Sequence, residues 1–346
     1  MSDTSLKLSV GYPCRKGLSF YNAVAPYLDQ IGEVYFGWEG FASGRAADAS
    51  QGDPAIMLED LRRFADGEIR LNLLLNGNCY GGEALSCTLE ERVKRTVSEL
   101  GEYFGLQSVT AASPFIAETV KKHFPEVDVR ASVNMWVDGV SGMEQCADIF
   151  DSFYLKRDYN YCPEQLESQH AWCRTHGKRL YLLANSGCIP YCAYHTFHDN
   201  LVSHSAHLDG QSVQEEDFQP YACRRMMKKA ENRYLLLSGN LVRPEDIDRY
   251  ADFVDGVKLA TRIHPFPAIV IGAYARRRFR GDVCSLTEPG FGDLIAPYML
   301  DNAMIPKDYW SQKTHCMRAT HNGSTAFCRD CGYCAKLFNE IKKLGI

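Results

Sequence analysis

No apolar run in the chain reaches the 18 or more residues that a membrane-crossing helix needs. The best candidate, Phe266–Ala275, is about half that length and is interrupted by Pro267. The first residues, MSDTSLKLSVGYP, show no cationic stretch followed by an apolar one, so a cytosolic protein without membrane contact is expected. Basic residues are not in excess. Lys and Arg number 38 against 43 Asp and Glu, and the net charge of −5 argues against a generally basic nucleic-acid surface, though not against a local basic groove. No G-x-G-x-x-G turn follows an apolar run, which leaves a dinucleotide fold without support. H-E-x-x-H and G-x-S-x-G are both absent, removing two hydrolase signatures.

Cysteine, by contrast, is abundant, with 14 in 346 residues. A chain that is 45% hydrophobic and 23% charged can bury an ample core and needs no disulfide staples. In a reducing compartment, closely spaced cysteines are more often metal ligands than bridges.

Short, nearly continuous apolar runs read as strands covered on both faces. They are Lys7–Pro13, Glu33–Trp38, Arg70–Leu75, Ser108–Ala112, Val129–Val137, Asp151–Lys156, Lys178–Ala184 and Gly256–Thr261. Helical patterns lie between them at Leu58–Phe64, Leu89–Phe104, Pro114–Phe124, Ser141–Ile149, Pro163–Thr175 and Pro244–Phe253, the second opened by a Thr88-x-x-Glu91 capping box. Such alternation implies parallel pairing. Eight strands predict an α/β fold, a (β/α)8 TIM-like barrel over residues 1–280, with a doubly wound sheet as the alternative. Residues 185–225 are too long for a simple connection and read as an active-site excursion. From Gly281 the alternation stops, and residues 281–346 read as a small cysteine-rich extension.

Two constellations carry the chemistry. Cys188 and Cys192 follow a predicted strand directly, where a barrel places its reactive groups, and Cys223 can join them from the far side of the excursion. Three thiolates suit a 4Fe–4S cluster with one iron left open; zinc, completed by His195 or His198, suits the same residues. Cys14 and Cys79, each just after a strand, are candidates for a fourth ligand. In the tail, Cys328-x2-Cys331-x2-Cys334 with Cys316 upstream has the spacing of ferredoxin-type ligands, and a four-thiolate zinc site satisfies it equally.

The order of several pieces resembles the collagenase-like U32 peptidase family, whose better understood relatives are iron–sulfur proteins of oxygen-independent hydroxylation of RNA bases and ubiquinone precursors. The pieces are Val34–Ala47 (VYFGWEGFASGRAA), the asparagine-ended strand Arg70–Asn76, Ala131–Asn134 (ASVN), Leu155–Asp158 (LKRD), Lys178–Cys192, the pair Cys223-Arg224 and the closing Val257–Arg262 (VKLATR). They span about residues 7–275. The resemblance implies a barrel that holds a 4Fe–4S cluster through Cys188, Cys192 and Cys223. The family's closing glutamate is replaced here by Ala260 or Thr261, so the relatives' substrates do not carry over.

Strand-end residues of a barrel converge on one pocket. Arg45, Arg157, Lys258 and Arg262 would form a cationic ring for a carboxylate or phosphate, with Asn76, Asn134 and Asn185 orienting the substrate. Glu39, Asp158, His195 and His198 are the candidates for proton transfer. The expected protein is an oxygen-sensitive iron–sulfur enzyme, an oxidoreductase or transferase of redox, oxygen-independent hydroxylation or sulfur-type chemistry, acting on a small anion, with an electron donor protein among its candidate partners. A zinc hydrolase is one alternative. An RNA-binding protein with structural metal, contacting RNA through Arg276–Arg280, is the less favoured one.

Overall fold

The computed structural model describes residues 6–13, 17–44, 52–204, 219–316 and 326–345. Eight parallel strands close into a barrel in sequence order: β1 (Leu8–Gly11), β2 (Ile31–Gly37), β3 (Arg70–Leu75), β4 (Ser108–Ala111), β5 (Asp128–Ala131), β6 (Ser152–Tyr154), β7 (Arg179–Leu183) and β8 (Gly256–Leu259). Closure is made by β8 on β1, with Leu8 opposite Val257. The expected (β/α)8 barrel is the observed fold, and the open sheet is excluded.

The crossover helices follow local capping chemistry. Asp53 accepts from the Ala55 and Ile56 N–H groups to start Pro54–Asp66, and Ser113 caps Pro114–His123. Helix Cys87–Phe104 starts from Ser86, whose side chain accepts from Leu89 N–H, rather than from the Thr88 capping box. It ends at Gly105, whose φ of 64° is the left-handed geometry glycine adopts without strain. Its buried stripe of Leu89, Val93, Val97, Leu100 and Phe104 faces the barrel. Two expectations fail at polar interruptions. The strand expected over Val129–Val137 stops at Ala131, because Ser132 turns the chain by accepting from Asn134 N–H. The helix expected over Ser141–Ile149 is instead the short Gly139–Glu144. Among the described residues, no helix is long and apolar enough to cross a membrane.

The barrel interior is not wholly apolar. Near the strand amino ends, Arg130 of β5 is fully buried and forms a two-pronged pair with Glu33 of β2, at 2.8 and 2.9 Å. Asp128 accepts from the same guanidinium at 3.1 Å, Ser152 accepts at 3.1 Å, and the Tyr181 ring lies 3.7 Å beneath it. Burial alone would raise the Glu33 carboxyl. The Arg130 charge and the hydrogen bonds from Arg130, Ser9 and Asn72 outweigh it and hold the pKa down to about 2.

Residues beyond Gly281 wrap onto the barrel. Strands β9 (Tyr298–Leu300) and β10 (Lys342–Leu344) pair antiparallel, and Tyr309, Leu337, Phe338 and Ile341 pack into the same core as the barrel side chains. Nearer the barrel mouth, Glu288 bridges to Ser186 just past β7. Its N–H donates to Asn185 O, and its carbonyl accepts from Gly187 N–H.

Candidate functional site

The strands end around two adjoining cavities, of about 510 and 990 Å3 including their open mouths. Arg157, Ile263 and Glu288 line both.

The first cavity is cationic. Asn76 at the end of β3, Asn134 after β5, Arg157 after β6, Lys258 on β8 and Arg262 just beyond it all line the space, with Tyr35 and Ser132. Five of the seven residues expected to bind substrate therefore meet here. Lys258 Nζ sits 4.2 Å from the Tyr35 ring centroid and 5.0 Å from that of Tyr154, which fixes its charge against aromatic faces. Arg262 donates to Ser43 Oγ at 2.5 Å, and Asn76 Oδ1 accepts from Gly44 N–H at 3.1 Å. The Asn134 amide nitrogen is buried and has no hydrogen-bond partner among the described residues, a donor in the wall of a cationic pocket. A carboxylate or phosphate matches that inventory.

Asn185 faces neither cavity. Its Nδ2 donates to Ala260 O and Leu286 O, and its Oδ1 accepts from Ala260 N–H, so it ties β7 to β8 and to the 281–346 segment. Glu39 is exposed on a turn past β2 and lines neither cavity. Arg45 and Cys14 lie outside the described residues.

The second cavity is walled by thiols and aromatic rings. Cys188, Cys192 and Cys223 line it together with Trp136, Tyr194, His195, His198 and Tyr221. Behind two of the thiols, Ile189, Met227, Leu235 and Phe291 form an apolar cluster. Arg157 Nη1 donates to Cys188 Sγ at 3.4 Å. Burial pushes the Cys223 thiol up to about 11, with Cys188 and Cys192 adding to the rise, and burial likewise raises Cys192, with Cys188 adding to it. Three half-buried sulfurs thus line one cavity, and a cation bound there would favour their thiolate forms. Among the described residues, however, no three His, Cys, Asp or Glu side chains are set as ligands around a single metal ion. Cys79 lines neither cavity.

The turn carrying Cys188 and Cys192 is held from beneath. Tyr191 takes the left-handed φ of 56°, and its N–H donates to Asp158 Oδ1 at 3.1 Å. Burial raises the Asp158 carboxyl, against the lowering by that hydrogen bond and by Lys156 and Arg157. Asp158 lines neither cavity, and its Oδ1 holds the turn at Tyr191. His195 does face the second cavity, its ring tilted 33° against Trp136 with centroids 4.0 Å apart and Nδ1 3.0 Å from Cys192 O. His198 packs edge-on against Tyr221 at 4.7 Å.

Sequence reasoning missed Glu288 and Trp136. Glu288 sits in a segment with no motif and reaches the mouth only because the chain beyond Gly281 returns to β7. Trp136 was hidden inside an expected strand; in fact it occupies a left-handed turn with φ 54°. Gly187 marks the returning segment most sharply, because a Cβ there would fall 2.1 Å from Pro289 O. Gly187→Ala should therefore destabilise the chain by about 1–3 kcal/mol. An unchanged thermal midpoint would show that the Pro289 segment yields freely.

Arg276–Arg280 lies elsewhere. Arg277 donates to Leu6 O just before β1, at the barrel end remote from both cavities, and to Asp248, while Arg276 donates to the Tyr27 hydroxyl.

No protein-family model matches the chain. A protein from Methanocaldococcus jannaschii described as an uncharacterized protease is 25% identical over 324 residues, covering 90% of this chain and 89% of its own. The solved structure of a U32 peptidase superposes with a TM-score of 0.52 at 16% identity, over 73% of this chain and 92% of the peptidase. A chitinase from Rhizomucor miehei reaches a TM-score of 0.41 at 10% identity, over 79% of this chain and all of its own.

Proposed function

We infer that this chain, which the relative and the shared barrel together support as a member of the U32 peptidase family, is an enzyme that binds a small anion in the cationic cavity. There it would act on the anion beside a thiolate-held iron–sulfur centre in the adjoining cavity. The names of the relative and of the solved neighbour, a protease and a peptidase, support an enzyme and do not assign a redox class. The observation that carries the reading is the shared wall: an anion gripped by Lys258, Arg262 and Asn134 has Arg157 and Glu288 between it and the three thiols.

The residues fit the group. Cys188, Cys192 and Cys223 would hold a 4Fe–4S cluster, whose ligands spread more widely than those around a single ion, and Arg157 would neutralise part of the thiolate charge. When bound, such a cluster supplies electron transfer and a Lewis-acidic iron. Lys258, Arg262 and Asn134 orient the anion. Arg157 couples the two cavities electrostatically, and His195, fixed between Trp136 and Cys192 O, is placed to hold or move a proton at the cavity wall. Redox turnover would need an electron donor protein.

Anaerobically purified chain should be brown, and Cys192→Ala should remove about four irons per chain together with activity. Unchanged iron in that variant overturns the assignment. Because His195 and His198 line the same cavity as the thiols, zinc found in place of iron would favour a second reading, a hydrolase with a metal-bound water as nucleophile.

A further inference from the structure

We propose that Cys316, Cys328, Cys331 and Cys334 hold a second, thiolate-ligated metal centre that fastens the C-terminal segment onto the short helix backing the barrel thiols. The proposal does not depend on what the barrel cavity holds.

Local structure delivers the four cysteines from two directions. Helix Ala326–Cys331 sets Cys328 and Cys331 three residues apart, one above the other on the same face. Gly332 then takes a left-handed φ of 63°, its N–H donating to Cys328 O at 2.9 Å, and the reversal puts Cys334 in the first turn of helix Tyr333–Ile341. Cys316 comes from the other side. Its N–H donates to Lys313 O at 3.1 Å at the end of helix Tyr309–Thr314. The Cys334 sulfur packs against the core within electrostatic reach of Cys316, Cys328 and Cys331. Among the described residues, none of the four is joined in a disulfide. The exposed Cys331 has room to rotate, which closing on a metal would require, since the four are not yet set around one ion.

The same segment grips helix Leu235–Ser238. Lys313 is buried, and its Nζ donates to Leu237 O at 3.0 Å and to Gly239 O at 3.2 Å. Tyr309 donates to Leu237 O at 2.7 Å. These are the carbonyls that a four-residue helix leaves without partners of its own. Leu235 meanwhile packs in the apolar cluster behind Cys192 and Cys223, and Gly239 lies close enough to the Cys188 carbonyl that an added Cβ would be 3.5 Å from it. One short helix is thus held from the tail side and supports the barrel thiols on the other.

The test compares the full chain with Cys331→Ser/Cys334→Ser and with Cys192→Ser/Cys223→Ser. All are purified anaerobically, assayed for iron, sulfide and zinc, and titrated after metal removal with Co2+ alone, whose thiolate complexes absorb strongly. The barrel variant should keep one Co2+-thiolate site and the tail variant should lose it. Hydrogen exchange at the Leu235–Gly239 amides should quicken at least tenfold in the tail variant, and in metal-free wild-type chain, while staying slow in the barrel variant. The wild-type comparison keeps the outcome readable if the tail variant folds poorly. Iron with sulfide, or zinc, in the barrel variant identifies the native metal. A tail variant that retains every thiolate site, or a barrel variant with none, overturns the proposal, as does exchange at Leu235–Gly239 that ignores tail metal.

Discussion

Arg130→Met should destabilise the protein by about 3–5 kcal/mol, because it strands the Glu33 carboxylate inside the barrel without its cation. The side chain it replaces is fully buried and meets Glu33, Asp128 and Ser152. Pairing Arg130→Met with Glu33→Gln should recover much of the loss, since a neutral amide tolerates an apolar neighbour better than a charge does. The pair also sets an acid limit. The folded-state pKa of Glu33, about 2, lies below its ordinary 4.5, so ionised Glu33 favours the folded chain above pH 4.5. That contribution drains away as the pH falls from 4.5 toward about 2. Urea unfolding across this range is the measurement. Arg130→Met with wild-type stability, or a double variant no better than the single one, would refute the account.

The second large effect concerns the cationic cavity. Lys258→Met combined with Arg262→Met should weaken binding of a small anion by about a hundredfold or more, since a hydrogen bond to a charged group contributes about 1.5–3 kcal/mol. Isothermal calorimetry with inorganic phosphate and with simple mono- and dicarboxylates would read this directly. Lys258→Arg should keep most of the affinity, because the charge stays while only its shape changes. Equal affinity in wild type and the double variant would remove the anion from the functional reading.

The barrel was legible because its strands are short apolar runs between helices with their own caps, a pattern that depends on neighbours in sequence. Five cavity residues, Asn76, Asn134, Arg157, Lys258 and Arg262, were legible for a related reason: each stands at a strand end, and closure of the barrel places strand ends together. Asn185 satisfied the same rule and still failed it, because two carbonyls and an N–H from other segments compete for its amide. Asp158, read as a proton carrier, lies behind the rim, where its Oδ1 accepts from the left-handed Tyr191. The buried Arg130–Glu33 pair is 97 residues apart in sequence, and neither strand announces the other. Glu288 was out of reach for the opposite reason. Nothing in its surroundings is periodic, and only the return of the chain to β7 gives it a role.

That return has a practical consequence for anyone trimming the protein. Glu288, Pro289 and Phe291 furnish part of the thiol cavity's wall, and Asn185 spends a hydrogen bond on Leu286. A fragment ending at residue 280 would retain every strand of the cylinder and all three of its rim cysteines, yet it would leave them open to oxidants on one side. Expression of the minimal barrel would also bare the core face that Tyr309, Leu337, Phe338 and Ile341 cover, so the loss reaches the shell as well as its rim.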